Sequence, residues 1–125
     1  MIEFKNILFV IGGSAAGGGC RYLLSIFIQQ FNKSKFPLAT FSVNVIGCFL
    51  IGIIYVFAER HPLTSQNMKI LLATGFCGGF TTFSAFAIEN IELYKNGNNL
   101  YASIYILSSI IIGIAATWVA TIIFK

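Results

Sequence analysis

The chain has 125 residues, of which 57% are hydrophobic and 10% charged, and its mean hydropathy is +0.84. Soluble domains carry about 25% charged residues, so a water-soluble fold is excluded and no nucleic-acid partner is expected. Net charge is +4, and its placement says more than its size.

Apolar runs of roughly 20 residues cross a hydrocarbon core of about 30 Å. Four such runs are predicted, over residues 7–28, 36–57, 69–88 and 101–124. The short connections at 29–35, 58–67 and 89–100 hold seven of the twelve charged residues, and of the rest only Arg21 lies well inside a span. The fold class is therefore all-α: one membrane domain of four transmembrane helices spanning residues 1–125.

The first run follows Lys5 and reaches small residues at positions 14–19, as a signal peptide does. It continues past them to Ile28, and three more spans follow, so it reads as a retained helix. It holds Gly12, Gly13, Gly17, Gly18 and Gly19 with Ser14, Ala15 and Ala16. Gly13/Gly17, Ser14/Gly18 and Ala15/Gly19 are small-xxx-small pairs that let helix backbones approach closely. No strand precedes these glycines and no Lys-Ser/Thr follows, so they do not form a phosphate loop. Arg21 lies inside this span. A charge there faces protein or a water-filled vestibule, or snorkels toward headgroups, and the vestibule is the favoured reading.

The second span carries Asn44 near its middle, preceded by Thr40 and Ser42. An amide in hydrocarbon needs partners; it either donates to an anion or binds a neighbouring helix. Thr40 and Asn44 are four apart and share a face. Gly47 and Gly52 suggest packing.

The third span contains Gly75-Phe-Cys-Gly-Gly-Phe-Thr-Thr-Phe-Ser84. Lipid allows backbone to leave the helix only where protein or a water-filled cavity satisfies the freed groups. Gly78 and Gly79, followed by Thr81, Thr82 and Ser84, have the composition of a planned break, which in transport proteins exposes carbonyls to an ion. Plain helix packing is the other reading. Beyond the break, Phe80, Phe83 and Phe86 recur every three residues and are read as one face of a helix. Such a stripe packs in a core or against lipid, or offers positive ring edges to a small anion. Glu89 is expected to end this helix, as a capping or vestibule carboxylate.

The fourth span carries Tyr105, Ser109, Gly113, Thr117 and Thr121, each four apart, which makes one polar stripe on an apolar helix. Trp118 reads as an interface anchor. Cys20, Cys48 and Cys77 all fall within spans, read as buried, and form neither a disulfide framework nor a metal motif.

With four spans, one side of the membrane holds Lys5, Arg60, Lys69 and Lys125, and the other Lys33, Lys35 and Lys95. Orientation normally follows a clear Lys/Arg excess on the cytoplasmic side. Near balance predicts insertion both ways up, with opposed copies pairing about a two-fold axis in the membrane plane. Chance among few charges gives the same count.

Three segments carry a resemblance to a known family. Gly12-Gly-Ser-Ala-Ala-Gly-Gly-Gly-Cys-Arg-Tyr22, Phe36-Pro-Leu-Ala-Thr-Phe-Ser-Val-Asn-Val-Ile-Gly47 and Gly75-Phe-Cys-Gly-Gly-Phe-Thr-Thr-Phe-Ser-Ala-Phe86 resemble the CrcB/Fluc fluoride channel family, in order and across all four spans. The resemblance implies an antiparallel, dual-topology homodimer in the cell membrane of a prokaryote. It implies passive fluoride export that relieves fluoride toxicity. It also implies two fluoride pathways and one structural sodium ion at the dimer centre, held by the backbone carbonyls of Gly78 and Thr81. Asn44, Phe83 and Phe86 would line the fluoride path, with Thr40 beside Asn44. Tyr105, Ser109 and Thr117 would form a polar track, and Arg21 would stand near the vestibule. Ala39 departs from the family's usual glycine. Gly113 departs from a usual hydroxyl position, which interrupts the track.

Two other classes share features with this chain. A small multidrug-type proton-coupled transporter also has four helices and dual topology, but needs a membrane-embedded carboxylate, whereas Glu89 and Glu92 are expected at a helix end. A structural subunit of a membrane complex would carry no ion flux alone. No nucleophile–base pair, metal cluster or cofactor motif supports an enzyme.

Overall fold

The computed structural model describes residues 1–125, with the side chains of Thr64 and Ser65 left aside. Four segments are long and apolar enough to cross a membrane: Phe4–Phe31, Leu38–Arg60, Gln66–Lys95 and Asn99–Ile123. The described residues form helices and no strand.

Helix α1 (Phe4–Phe31) is continuous through its glycines and ends at Asn32, whose backbone turns extended. The Asn32 side chain organises the loop that follows. Its Oδ1 accepts from the Ser34 N–H and hydroxyl, and its Nδ2 donates to the Phe36 carbonyl at 2.8 Å. Pro37, which fixes its own φ and has no N–H to lose, then caps α2 (Leu38–Arg60).

The third span is composite. A short α3 (Pro62–Met68) runs into a π-helical segment, Lys69–Cys77, then into the last turn α4 (Gly78–Phe80). Two extended residues, Thr81 and Thr82, interrupt it before α5 (Phe83–Lys95). At the end of α5, Gly97 takes φ +75°, a conformation open to glycine at little cost. This turn lets the Asn98 N–H reach back to the Leu93 carbonyl at 2.8 Å and starts α6 (Asn99–Ile123). Lys35 donates to Asn98 at 3.2 Å, tying the first and third loops together at one end of the bundle.

Helix α2 packs along α6, and α1 packs along the π-helical segment and α4. Glycine sets the second contact. A Cβ at Gly13 would overlap the Leu71 carbonyl oxygen, and one at Gly17 that of Phe76. Lipid tails are as apolar as leucine, so close van der Waals contact rather than apolar burial holds such helices together. The interior is accordingly small, with Tyr105 and Val43 as its largest fully buried side chains. Ile111, Ile114, Trp118 and Ile122 of α6 point outward.

Three expectations are corrected. The glycines Gly78 and Gly79 do not break the helix: both are helical, and the break falls at Thr81–Thr82. Gly79 instead admits α1, since a Cβ there would lie 2.5 Å from the Ser14 carbonyl oxygen. The third span does not end near residue 88, because α5 runs to Lys95 and puts Glu89 inside the helix. Cys20 is exposed rather than buried; Cys48 is half-buried and Cys77 buried, all as free thiols.

Candidate functional site at the helix break

Thr81 (φ −83°, ψ 157°) and Thr82 (φ −147°, ψ 115°) are extended at the middle of the bundle. Asn44 of α2 holds this segment. Its Oδ1 accepts the Thr82 N–H at 2.8 Å and its Nδ2 donates to the Thr82 carbonyl at 3.1 Å. One amide thus replaces two backbone partners that a helix would have provided. The second Nδ2 hydrogen has no partner among the described residues. It lies beside a 230 Å³ cleft formed by Asn44, Cys48, Thr81, Thr82 and Phe83. The approach of α2 depends on Gly47, where a Cβ would overlap the Thr81 methyl.

The Thr82 hydroxyl caps α5 by accepting the Ala85 N–H at 3.2 Å, the usual N-cap geometry. Thr81 closes the preceding turn: its N–H and hydroxyl both donate to the Cys77 carbonyl, at 2.9 and 2.8 Å. Arg21 Nε donates to the Gly79 carbonyl at 3.0 Å. Its cation therefore sits where the carbonyl ends of α4 carry partial negative charge. Among the described residues, no donor reaches the carbonyls of Gly78, Phe80 and Thr81.

A cation bound here would have oxygen ligands only. Among the described residues no group of three His, Cys, Asp or Glu is placed to hold a metal. Hard cations take oxygen ligands, carbonyls included. The undonated carbonyls of Gly78 and Thr81 fit that requirement.

Phe83 and Phe86 share one side of α5, ring centroids 5.6 Å apart. Phe83 is 80% exposed within one copy. Phe80 does not join them. It precedes the break, is buried, and stacks on Phe76 at 5.7 Å, so the three-residue spacing does not lie on one continuous helix. Phe86 and Tyr105 meet edge to face with centroids 4.9 Å apart, and Phe36 meets Tyr105 in the same manner at 5.4 Å.

Glu89, which sequence reasoning placed at a helix end, stands at the centre of a polar cluster. The Thr40 hydroxyl donates to one of its carboxylate oxygens at 2.6 Å, and the Tyr105 hydroxyl to the other at 2.7 Å. Thr40 and Tyr105 are both buried. A cleft of 410 Å³, lined by Lys35, Thr40, Glu89, Glu92 and Asn98 among others, opens from this cluster toward the loops. The signal available in the sequence was the i, i+3 spacing of Phe86 and Glu89 on one helical face.

The stripe on α6 divides. Thr117 donates to the Cys48 carbonyl at 2.8 Å, and Thr121 to the Trp118 carbonyl. The Ser109 hydroxyl oxygen is buried without a partner among the described residues. At Gly113 a Cβ would lie 3.4 Å from the Cys48 sulfur, so this interruption of the stripe has room for a small side chain. The chain thus brings together Asn44 with the break and Phe83, and Thr40 with Glu89, Tyr105 and Phe86. Arg21 is on the α1 side, at Gly79.

The family model described as "CrcB-like protein, Camphor Resistance (CrcB)" matches residues 8–121. Among curated relatives, a protein of Flavobacterium psychrophilum named fluoride-specific ion channel FluC is 41% identical over 97% of this chain and 98% of its own length. Two with the same name, from Azobacteroides pseudotrichonymphae and Chlorobaculum tepidum, are 45% and 44% identical. They cover 90% and 97% of this chain, and 90% and 95% of their own lengths.

Proposed function

The chain belongs to the CrcB family, and on that premise we propose that it is a fluoride-selective channel, exporting fluoride passively as an antiparallel dual-topology homodimer. The carrying observation is the break itself: a donor-bearing amide, a freed backbone and a pair of phenyl rings, Phe83 exposed and Phe86 half-buried, meet at the middle of the third span. Fluoride is small and strongly hydrated, so a pore must replace its water with donors while binding it weakly enough to release it. The uncommitted Asn44 hydrogen and the ring edges of Phe83 and Phe86 are such donors, the latter through their positive rims. Ser109 adds an uncommitted hydroxyl. Thr40 and Tyr105 offer theirs only by exchange with Glu89, while Thr117 is tied to Cys48 within one copy.

Phe83, exposed in one copy, suits a wall completed by a second copy. The carbonyls of Gly78 and Thr81, taken from both copies about a two-fold axis, would hold one sodium ion as a structural centre. That cation supplies fixed positive charge; it takes no part in fluoride movement.

Glu89 lies inside α5 rather than at a helix end, but it accepts from Thr40 in the first turn of α2, beside the cleft that opens toward the loops. Its place in the helix alone does not make it the membrane-embedded carboxylate that a proton-coupled multidrug-type transporter needs. The relatives' shared name favours the channel. The deciding experiment is efflux from liposomes holding only this protein. Fluoride should leave rapidly without a proton gradient while chloride is retained. Equal rates for both ions, or flux only with a proton gradient, would reject the channel reading.

A further inference from the structure

Resting on the sodium reading above, we infer that Asn44 and Thr82 are positioning residues for the cation site, because their side chains withhold two backbone N–H groups from its carbonyls. In an unbroken helix each carbonyl i receives the N–H of residue i+4. The donor due to Gly78 is the Thr82 N–H, and the donor due to Thr81 is the Ala85 N–H. Here the Thr82 N–H goes to Asn44 Oδ1 at 2.8 Å, and the Ala85 N–H to Thr82 Oγ1 at 3.2 Å. Both acceptors are side chains, and both carbonyls left over are the ones assigned to sodium. Backbone carbonyls in lipid demand a partner; Gly78 is exposed and Thr81 half-buried within one copy, so the two side chains leave both carbonyls available to a cation.

This separates two uses of one amide. Asn44 Oδ1 serves the cation site by accepting the Thr82 N–H, while Nδ2 gives one hydrogen to the Thr82 carbonyl and keeps the other for the anion. Asn44→Leu removes the acceptor of the Thr82 N–H and lets that N–H return to the Gly78 carbonyl. Thr82→Ser keeps the hydroxyl that captures the Ala85 N–H; Thr82→Val removes it and lets that N–H return to the Thr81 carbonyl.

The test is thermal unfolding of the purified full-length dimer in detergent, titrating sodium against choline at constant ionic strength. A bound ion raises the unfolding temperature with its concentration. Thr82→Val and Asn44→Leu should each raise the half-saturating sodium concentration about tenfold or more, as loss of one ligand to the cation implies. Thr82→Ser should stay close to the parent. A parent that responds to sodium alongside a Thr82→Val variant of unchanged midpoint overturns the inference and leaves the sodium reading intact. A parent indifferent to sodium overturns both. Where Thr82→Val fails to assemble, Thr82→Ala decides, since it also removes the hydroxyl that captures the Ala85 N–H: an unchanged half-saturating sodium concentration rejects the inference, and a rise of about tenfold upholds it.

Discussion

Alanine at Gly17 is expected to part α1 from the third span, while alanine at Gly12 or Gly19 in the same helix is not. The Gly17 Cβ would overlap the Phe76 carbonyl oxygen and lie 2.9 Å from the Phe80 nitrogen. Non-bonded heavy atoms settle at about 3.5–4.0 Å, so α1 must retreat by roughly 1 Å. Its neighbours are backbone and cannot rotate aside. Overpacking of this kind costs about 1–3 kcal/mol. The retreat also stretches the 3.0 Å bond from Arg21 to the Gly79 carbonyl and the 3.3 Å bond from Ser14 to Gly75. Loss of a charged hydrogen bond adds about 1.5–3 kcal/mol. A total near 3 kcal/mol or above, at about 4 °C per kcal/mol for a chain of this size, lowers the unfolding temperature by roughly 10 °C or more. Gly12 and Gly19 have nothing within 4 Å of an added Cβ. Alanine there gains up to about 1 kcal/mol of helix propensity and should melt no lower than the parent. The assay is a melt followed by Trp118 fluorescence in detergent. A Gly17→Ala protein melting within about 2 °C of the parent, or Gly12→Ala falling as far as Gly17→Ala, would refute the close-contact argument.

Other outcomes follow from the same geometry. A single cysteine at Lys95, with the three native thiols removed, should be labelled from both sides of the membrane; labelling from one side alone rejects dual topology. Phe83→Ile should cut fluoride flux at least tenfold with little change in melting, because the ring is exposed within one copy. Phe86→Ile should cut flux and also cost about 0.5–1.5 kcal/mol through its lost edge contact with Tyr105; parental flux in both would make these rings packing only. Arg21→Gln, tested by melting, should lose about 1.5–3 kcal/mol with the Gly79 contact, whereas an unchanged melt would show that the guanidinium does not brace the break.

Hydropathy by itself determined that four helices cross the membrane, because lipid leaves a long apolar segment of this kind almost no other backbone arrangement. The third motif also announced that the helix is interrupted, and the spaced glycines of α1 announced a close contact. Which residues do each job was not legible. Gly78 and Gly79 read as the break, but glycine merely permits a break, and the helix continues through them. The interruption forms two residues later because Asn44, 38 positions away in sequence, captures the Thr82 peptide from both sides. Glu89 read as a helix end because charge normally marks the water boundary. Tertiary structure places it inside α5 by supplying two hydroxyls, Thr40 from α2 and Tyr105 from α6, that make a carboxylate tolerable there. Local pattern fixes what each segment must bury, but a buried polar group is decided by partners that only the packed helices bring within about 3 Å.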